Sequence, residues 1–116
     1  AYEAAGATII ADNSKLWGEA DILLKVSPPQ EREDGRSEID LLKAGSVLIS
    51  FLNPLGNPVV AKRLAERQVS AIAMEMIPRT TRAQSMDALS SQASIAGYKA
   101  VLIATAALPK YFPMLT

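Results

Sequence analysis

The sequence predicts an α/β fold built on a parallel sheet and ending in a long helix. Apolar runs at 21–26, 46–52 and 69–76 have the length and composition of strands buried on both faces, as in parallel sheets. Helical patterns alternate with these runs, so we expect the connections to be right-handed βαβ units. The 116 residues suit one domain at most, and 49% of them are hydrophobic, which is enough to form a core.

The beginning of the chain is predicted to contain short elements. Residues 1–6 have the pattern of the last turn of a helix, ended by Gly6. Residues 7–10 are expected at the edge of a strand, and residues 14–18 in a single helical turn. The strand at 21–26 stops at two successive prolines, which cannot continue a hydrogen-bonded ladder.

Two helices are predicted in the middle of the chain, at 38–43 and 58–68, on either side of the strand at 46–52. Pro58 lies in the first turn of the second helix, where proline is favoured. That helix is amphipathic. Its inward face is expected to contain Val59, Val60 and Leu64.

The longest helix is predicted over Met86–Leu108, with Ser85 as its N-cap. Gly97 inside a helix costs about 1 kcal/mol relative to alanine, which indicates a packing reason. Two interpretations stay open, a buried alanine-rich helix and a specific helix interface. The small residues on one side are Ala93, Ala96, Gly97, Ala100 and Ala104.

Composition excludes several classes of function. The chain has no cysteine and no histidine, so it offers no disulfide, no thiolate nucleophile and none of the commonest transition-metal ligands. Its net charge is zero, which disfavours nucleic acid as a partner. No Gly-x-Gly-x-x-Gly or P-loop pattern is present to hold a pyrophosphate. No apolar run reaches the roughly 18 residues needed to span a bilayer, so we expect a soluble protein or a soluble part of a membrane assembly.

A polar segment follows the third predicted strand, where ligand contacts collect in α/β proteins. It carries Arg79, Gln84, Asp87 and Ser90, which together offer a forked cation, an amide, a carboxylate and a hydroxyl. Such a set can hold a carboxamide, a ribose diol or a phosphate. An alternative stays open, in which Asp87 only complements the helix dipole and Arg79 only pairs with Asp87.

Two charged residues interrupt apolar strands. Burying the charge of Lys25 in a strand costs free energy unless its side chain reaches a partner or the sheet edge, so Lys25 is a candidate site residue. The slightly favoured interpretation is that its side chain extends to water. Glu75 is expected to pair with an arginine.

Several motifs closely resemble the NAD(H)-binding soluble domain of the alpha subunit of proton-translocating NAD(P) transhydrogenase. The resemblance covers nearly the whole chain, and alanine dehydrogenase is the family's relative. The motifs that carry it are Ile22–Val26, Ser46–Phe51, Ala73–Arg79, Arg82–Gln92, Ile95–Tyr98 and Phe112–Thr116.

The resemblance implies a parallel-sheet βαβ fragment of a Rossmann-like or flavodoxin-like domain. Residues 1–116 would be the nicotinamide-facing half of the NAD(H)-binding domain, without the half that carries the dinucleotide fingerprint. Arg79, Gln84, Asp87 and Ser90 would bind NAD(H), with Gln84 and Asp87 in the catalytic role and no metal. Direct hydride transfer requires alignment rather than acid–base groups, so a site without histidine suits it.

The resemblance also implies partners. NADP(H) would be held on a separate domain, and a membrane domain would couple hydride transfer to proton movement. The soluble domain would lie on the cytoplasmic side and form a homodimer, and residues 1–116 alone would be inactive. Two alternatives remain. An alanine-dehydrogenase-like oxidoreductase is disfavoured because the histidine that this relative needs near Phe51–Asn53 is missing, and a non-catalytic scaffold or dimerisation fragment is the other.

Overall fold

The computed structural model describes residues 1–111. The chain forms two compact units, and the second begins at Ile77. No helix in the described residues is both long and apolar enough to cross a membrane.

The sheet has three strands, β1 (Ile22–Leu24), β2 (Val47–Ser50) and β3 (Ser70–Ala73). Their spatial order is β1-β2-β3, and both neighbouring pairs are parallel. Leu23 lies opposite Leu48, which in turn lies opposite Ala71. The predicted α/β fold with a parallel sheet is therefore confirmed, with strands shorter than the apolar runs.

Residues 1–111 contain four α-helices, three in the first unit and one in the second: α1 (Asn13–Glu19), α2 (Glu38–Leu41), α3 (Pro58–Glu66) and α4 (Ala88–Ala107). Short 3-10 helices lie at Glu3–Ala5, Met74–Met76 and Thr81–Met86. The long terminal helix is thus confirmed, and it contains no buried residue. Within residues 1–111 the interpretation of a buried alanine-rich helix is therefore wrong, whereas the interpretation of a specific helix interface stays a prediction.

Local sequence explains where these helices begin. Asp12 caps α1 by accepting a hydrogen bond from the Ser14 backbone N–H at 2.8 Å. Ser37 and Asp40 form a reciprocal capping box at the start of α2. Pro58 occupies the first turn of α3 as predicted. Gly6 ends the first 3-10 helix at a φ of 89°, which a residue with a side chain rarely adopts.

One hydrophobic core covers one face of the sheet. Leu48 and Leu64 are almost inaccessible to solvent. The core contains residues from α1, α2, α3 and the sheet: Trp17, Leu23, Ile39, Leu42, Leu48, Leu52, Leu64 and Val69. The opposite face is open in the described residues, with Ile22 63% and Leu24 73% exposed. Within the first unit the helices all pack on one side of the sheet, so the prediction of strands buried on both faces is not confirmed there.

Other boundaries also differ from the sequence predictions. Residues 7–10 form no strand. Val59 is 62% exposed, whereas Leu64 supplies the buried contact of α3. The N-cap of α4 is Asp87, not Ser85, because residues 81–86 first form a 3-10 helix.

Candidate functional site

The predicted ligand-binding segment folds as a tight sequence of turns. The Thr80 N–H donates to Pro78 O at 2.9 Å, and the Ala83 N–H donates to Thr80 O at 3.0 Å. Ala83 is the buried residue of the 3-10 helix, and most of its polar neighbours are exposed. Because only the small side chain of Ala83 is buried in this 3-10 helix, the polar side chains around it face solvent.

This segment surrounds a shallow depression of about 320 Å³. Six described residues line it: Arg79, Thr80, Thr81, Gln84, Asp87 and Ser90. The structure thus brings together all four residues that the sequence singled out. The structure adds Thr80 and Thr81 to the lining. Because both hydroxyl-bearing residues directly follow Arg79 in the sequence, they could have been predicted as part of the same polar segment. Arg82 is not among the lining residues.

Asp87 has a structural role in this depression. As the N-cap of α4, it accepts a hydrogen bond from the Ser90 backbone N–H on Oδ1 at 2.9 Å. The pKa of Asp87 is held below its ordinary value mainly by hydrogen bonding to the Ser90 side chain and, to a smaller extent, to the Ser90 backbone N–H. The charge of Arg79 lowers this pKa further. The hydrogen bonds of residues 1–111 include one to Oδ1 of Asp87 and none to Oδ2, and the Ser90 side chain lies close enough to this carboxylate to lower its pKa.

Arg79 is exposed, and no ion pair within the described chain includes it. Its charge influences Asp87, but the two side chains do not form the salt bridge that the alternative interpretation required. The guanidinium therefore keeps its forked set of donors for an anion. The site combines this cation with one carboxylate, one amide and several hydroxyls. That combination can bind and orient a polar ligand, but it contains no histidine or cysteine for acid–base or nucleophilic chemistry.

Lys25 does not extend to water as favoured from the sequence. Its Nζ forms an ion pair with Glu38 Oε2, donates to Pro28 O at 3.4 Å and lies 5.3 Å from the centroid of the Trp17 ring. Glu38 also accepts a hydrogen bond from the Gln30 N–H at 2.8 Å. The lysine charge is therefore compensated within the first unit.

Glu75 does not pair with an arginine, and that prediction is wrong. Its Oε1 accepts hydrogen bonds from the backbone N–H groups of Leu52, at 2.8 Å, and of Asn53. Its Oε2 is buried and has no partner in the described residues. The donors belong to the loop that Asn53-Pro54 and Asn57-Pro58 predict after β2, but their pairing with Glu75 was not expected from the sequence. Residues 1–111 contain no group of three or more His, Cys, Asp or Glu side chains that could hold a metal ion.

Comparison with known proteins gives the same family from sequence and from structure. The chain is 44% identical over 115 residues to an NAD(P) transhydrogenase alpha subunit of Rhodospirillum rubrum, a match that covers 99% of this chain and 30% of the relative. The crystal structure of transhydrogenase from Sinorhizobium meliloti superposes with a TM-score of 0.82 at 39% identity, covering 98% of this chain and 32% of that one.

Alanine dehydrogenase is a more distant match. The enzyme of Halomonas elongata is 34% identical over 109 residues, covering 94% of this chain and 28% of the relative. The chain thus spans about 30% of the length of these relatives. The family model for the N-terminal domain of alanine dehydrogenase and PNT matches residues 1–96. The resemblance seen in the sequence is confirmed, and the chain belongs to the alanine dehydrogenase/PNT N-terminal domain family, with higher identity to transhydrogenase alpha subunits.

Proposed function

We propose that residues 1–116 form the nicotinamide-facing part of the NAD(H)-binding domain of an NAD(P) transhydrogenase. In the proposed reaction a hydride passes from NADH to NADP⁺, giving NAD⁺ and NADPH, and the transfer is coupled to proton translocation. The observation that carries the proposal is the polar depression, which is lined by all four residues expected to contact the cofactor. Membership of an NAD(P)-linked enzyme family supports the choice of ligand.

The donors in the depression fit a nicotinamide nucleotide. The guanidinium of Arg79 can make paired hydrogen bonds to a phosphate. The carboxylate of Asp87 and the hydroxyl of Ser90 suit a ribose diol, and the amide of Gln84 can both donate to and accept from a carboxamide. The volume of about 320 Å³ lies at the lower end of the range for small-molecule sites. It therefore suits the nicotinamide end of NADH rather than the whole dinucleotide.

Within this proposal, Gln84 and Asp87 orient the dihydronicotinamide ring rather than exchange protons with it. Hydride transfer between two nicotinamide rings depends on their distance and alignment, which positioned polar groups can fix. NADP(H) is held by a separate domain, and a membrane domain carries the protons. The rest of the NAD(H) domain and a second copy of the subunit complete the soluble part on the cytoplasmic side.

Isotope transfer in the complete enzyme tests the proposal. NADH that carries deuterium at the transferred position of C4 should give NADPH that retains the deuterium, because direct transfer excludes exchange with water. Loss of the label to solvent, or no NADPH at all, would contradict the proposal. L-Alanine and NAD⁺ serve as the control pair. They should give no pyruvate, since the histidine expected for deamination is absent and Lys25 is already paired with Glu38.

A further inference from the structure

The depression is lined by polar side chains that recur every three residues. Thr81 and Gln84 have this spacing in the 3-10 helix Thr81–Met86, which belongs to the second unit. Asp87 ends that helix, and Ser90 follows three residues later in the first turn of α4. All four line the depression and are called here the polar row. Thr81 is the member of the row that was not selected from the sequence.

The winding of the 3-10 helix produces the polar row. A 3-10 helix has about three residues per turn, so side chains three positions apart lie above one another. The Asp87 N–H donates to Gln84 O at 3.3 Å, so this winding continues to Asp87. In an α-helix each step of three residues would instead turn the side chain by about 60°. The 3-10 conformation therefore brings Thr81 to the same side as Gln84 and Asp87.

The other residues of the 3-10 helix do not line the depression. Ala83 is buried, and Met86 is 54% exposed outside the lining. Arg82 and Ser85 are polar, yet they are not among the described residues around the depression. Position on the row, rather than polarity, therefore decides which side chains of this helix face it.

The Thr81 hydroxyl is a donor that the described part of the second unit does not use. Hydroxyls in helices commonly donate to a carbonyl one turn back, as Thr105 does to Val101 O at 2.7 Å. The hydrogen bonds of residues 77–111 include none to the Thr81 side chain, which is exposed. A ligand in the depression can therefore accept a hydrogen bond from it.

We propose that the Thr81 hydroxyl binds the phosphate at the nicotinamide end of NADH. Thr81 lies at the end of the polar row that follows Arg79, whose guanidinium offers paired donors to the same phosphate. The hydroxyl adds a hydrogen bond to an anionic oxygen and so fixes where the phosphate lies, while Gln84 and Asp87 align the ring. This inference rests on the proposed function, because it takes the ligand to be NADH.

Two variants of the complete transhydrogenase test this contact. Thr81→Val removes the hydroxyl with little change in shape, and Thr81→Ser keeps it. Thr81→Val should raise the Kd for NADH about tenfold, as expected for a lost hydrogen bond to a charged group, whereas Thr81→Ser should stay within about twofold of wild type. The melting temperature should hardly change in either variant, because Thr81 is exposed. Titration by dihydronicotinamide fluorescence and thermal melts measure these effects.

Two smaller ligands identify the group that the hydroxyl contacts. Reduced NMN carries the phosphate and reduced nicotinamide riboside lacks it, and competition with NADH measures the affinity of each. Thr81→Val should weaken reduced NMN about as much as NADH and leave the riboside unchanged. A distorted site would weaken the riboside as well, so equal losses for the two small ligands would overturn the inference.

Two matched controls remove a threonine hydroxyl elsewhere. Thr80→Val changes a residue that lines the depression but lies off the polar row. Thr105→Val removes a hydroxyl that is already bonded within α4. Both should keep the Kd for NADH within about twofold of wild type. An unchanged Kd in Thr81→Val, or an equal loss in Thr80→Val, would overturn the inference. Wild-type enzyme that binds no NADH or transfers no hydride would instead refute the proposed function.

Discussion

Arg79 carries the positive charge among the described residues that line the depression. It is exposed and has no ion-pair partner in residues 1–111, so its planar fork is free to bind two oxygens of an anion. A lysine ammonium would keep the charge but lose the paired geometry. Replacing Arg79 by alanine or by lysine therefore distinguishes the effect of its charge on ligand binding from the effect of its paired hydrogen bonds on ligand orientation.

In the complete enzyme, Arg79→Ala should weaken NADH binding more than Arg79→Lys does, while both should lower turnover by about tenfold or more. Titration with NADH and turnover measurements on both variants check this. Arg82→Ala is the control, because Arg82 lies nearby without lining the depression, and its effect should be smaller. Unchanged turnover, with a stability loss of about 1 kcal/mol or less, would return Arg79 to an ordinary surface role.

At the scale of single residues, the sequence predicted which side chains come together in the depression but not their detailed contacts. Arg79, Gln84, Asp87 and Ser90 were recognisable because a polar cluster after an apolar strand is a local pattern. The partners of Glu75 were not, because the N–H groups of Leu52 and Asn53 lie 23 and 22 residues earlier in the chain and reach it only after folding. The partner of Lys25 was not predicted for the same reason, since Glu38 lies 13 residues away and reaches it only after folding.

The element that matters most for the site is the start of α4. Asp87 uses Oδ1 to cap the helix, and the hydrogen bonds of the described chain include none to Oδ2. The helix-dipole and ligand interpretations are therefore compatible, because the cap uses only one of the two oxygens. Sequence alone favoured Ser85 as the cap, since serine and aspartate are nearly equivalent there and the 3-10 helix before Asp87 leaves no clear pattern.

Asp87→Asn should slow hydride transfer more than it weakens NADH binding. Asparagine keeps an oxygen for the Ser90 N–H and caps helices about as well as aspartate, so the melting temperature should hardly change. It replaces Oδ2 by an N–H₂ group, which removes an acceptor from the site. Gln84→Asn should act similarly, since its shorter side chain withdraws an amide from the same depression. Stopped-flow single turnovers and thermal melts of the complete enzyme measure both effects.

Asp12→Asn provides the matched control for the cap. Asp12 also accepts a backbone N–H at a helix start, from Ser14 at 2.8 Å, but it lies in the first unit at α1. This variant should leave hydride transfer unchanged. Equal single-turnover rates for Asp87→Asn, Gln84→Asn and wild type would restrict Asp87 to capping and would contradict its place in the ligand site.

For the molecule as a whole, the depression is small and no glycine-rich phosphate loop occurs in the 116 residues. In dinucleotide-binding folds such a loop at a helix N-terminus supplies the backbone N–H groups that bind the pyrophosphate. The 116-residue chain tested alone should therefore bind NADH weakly or not at all. Calorimetric titration measures this, and a micromolar dissociation constant would contradict it. NMN, which lacks the adenosine half, is a useful comparison because its affinity should be nearly as low as that of NADH.

The spatial order of the strands, β1-β2-β3, is also their order along the chain. Ile22 pairs with Val47 and Val47 with Ser70, so each new strand joins the one made just before it. The paired residues are 25 and 23 positions apart, so each pairing requires the closure of one connection of similar length. The sheet can thus grow one strand at a time as the polypeptide leaves the ribosome, and no strand has to wait for a distant partner to be synthesised.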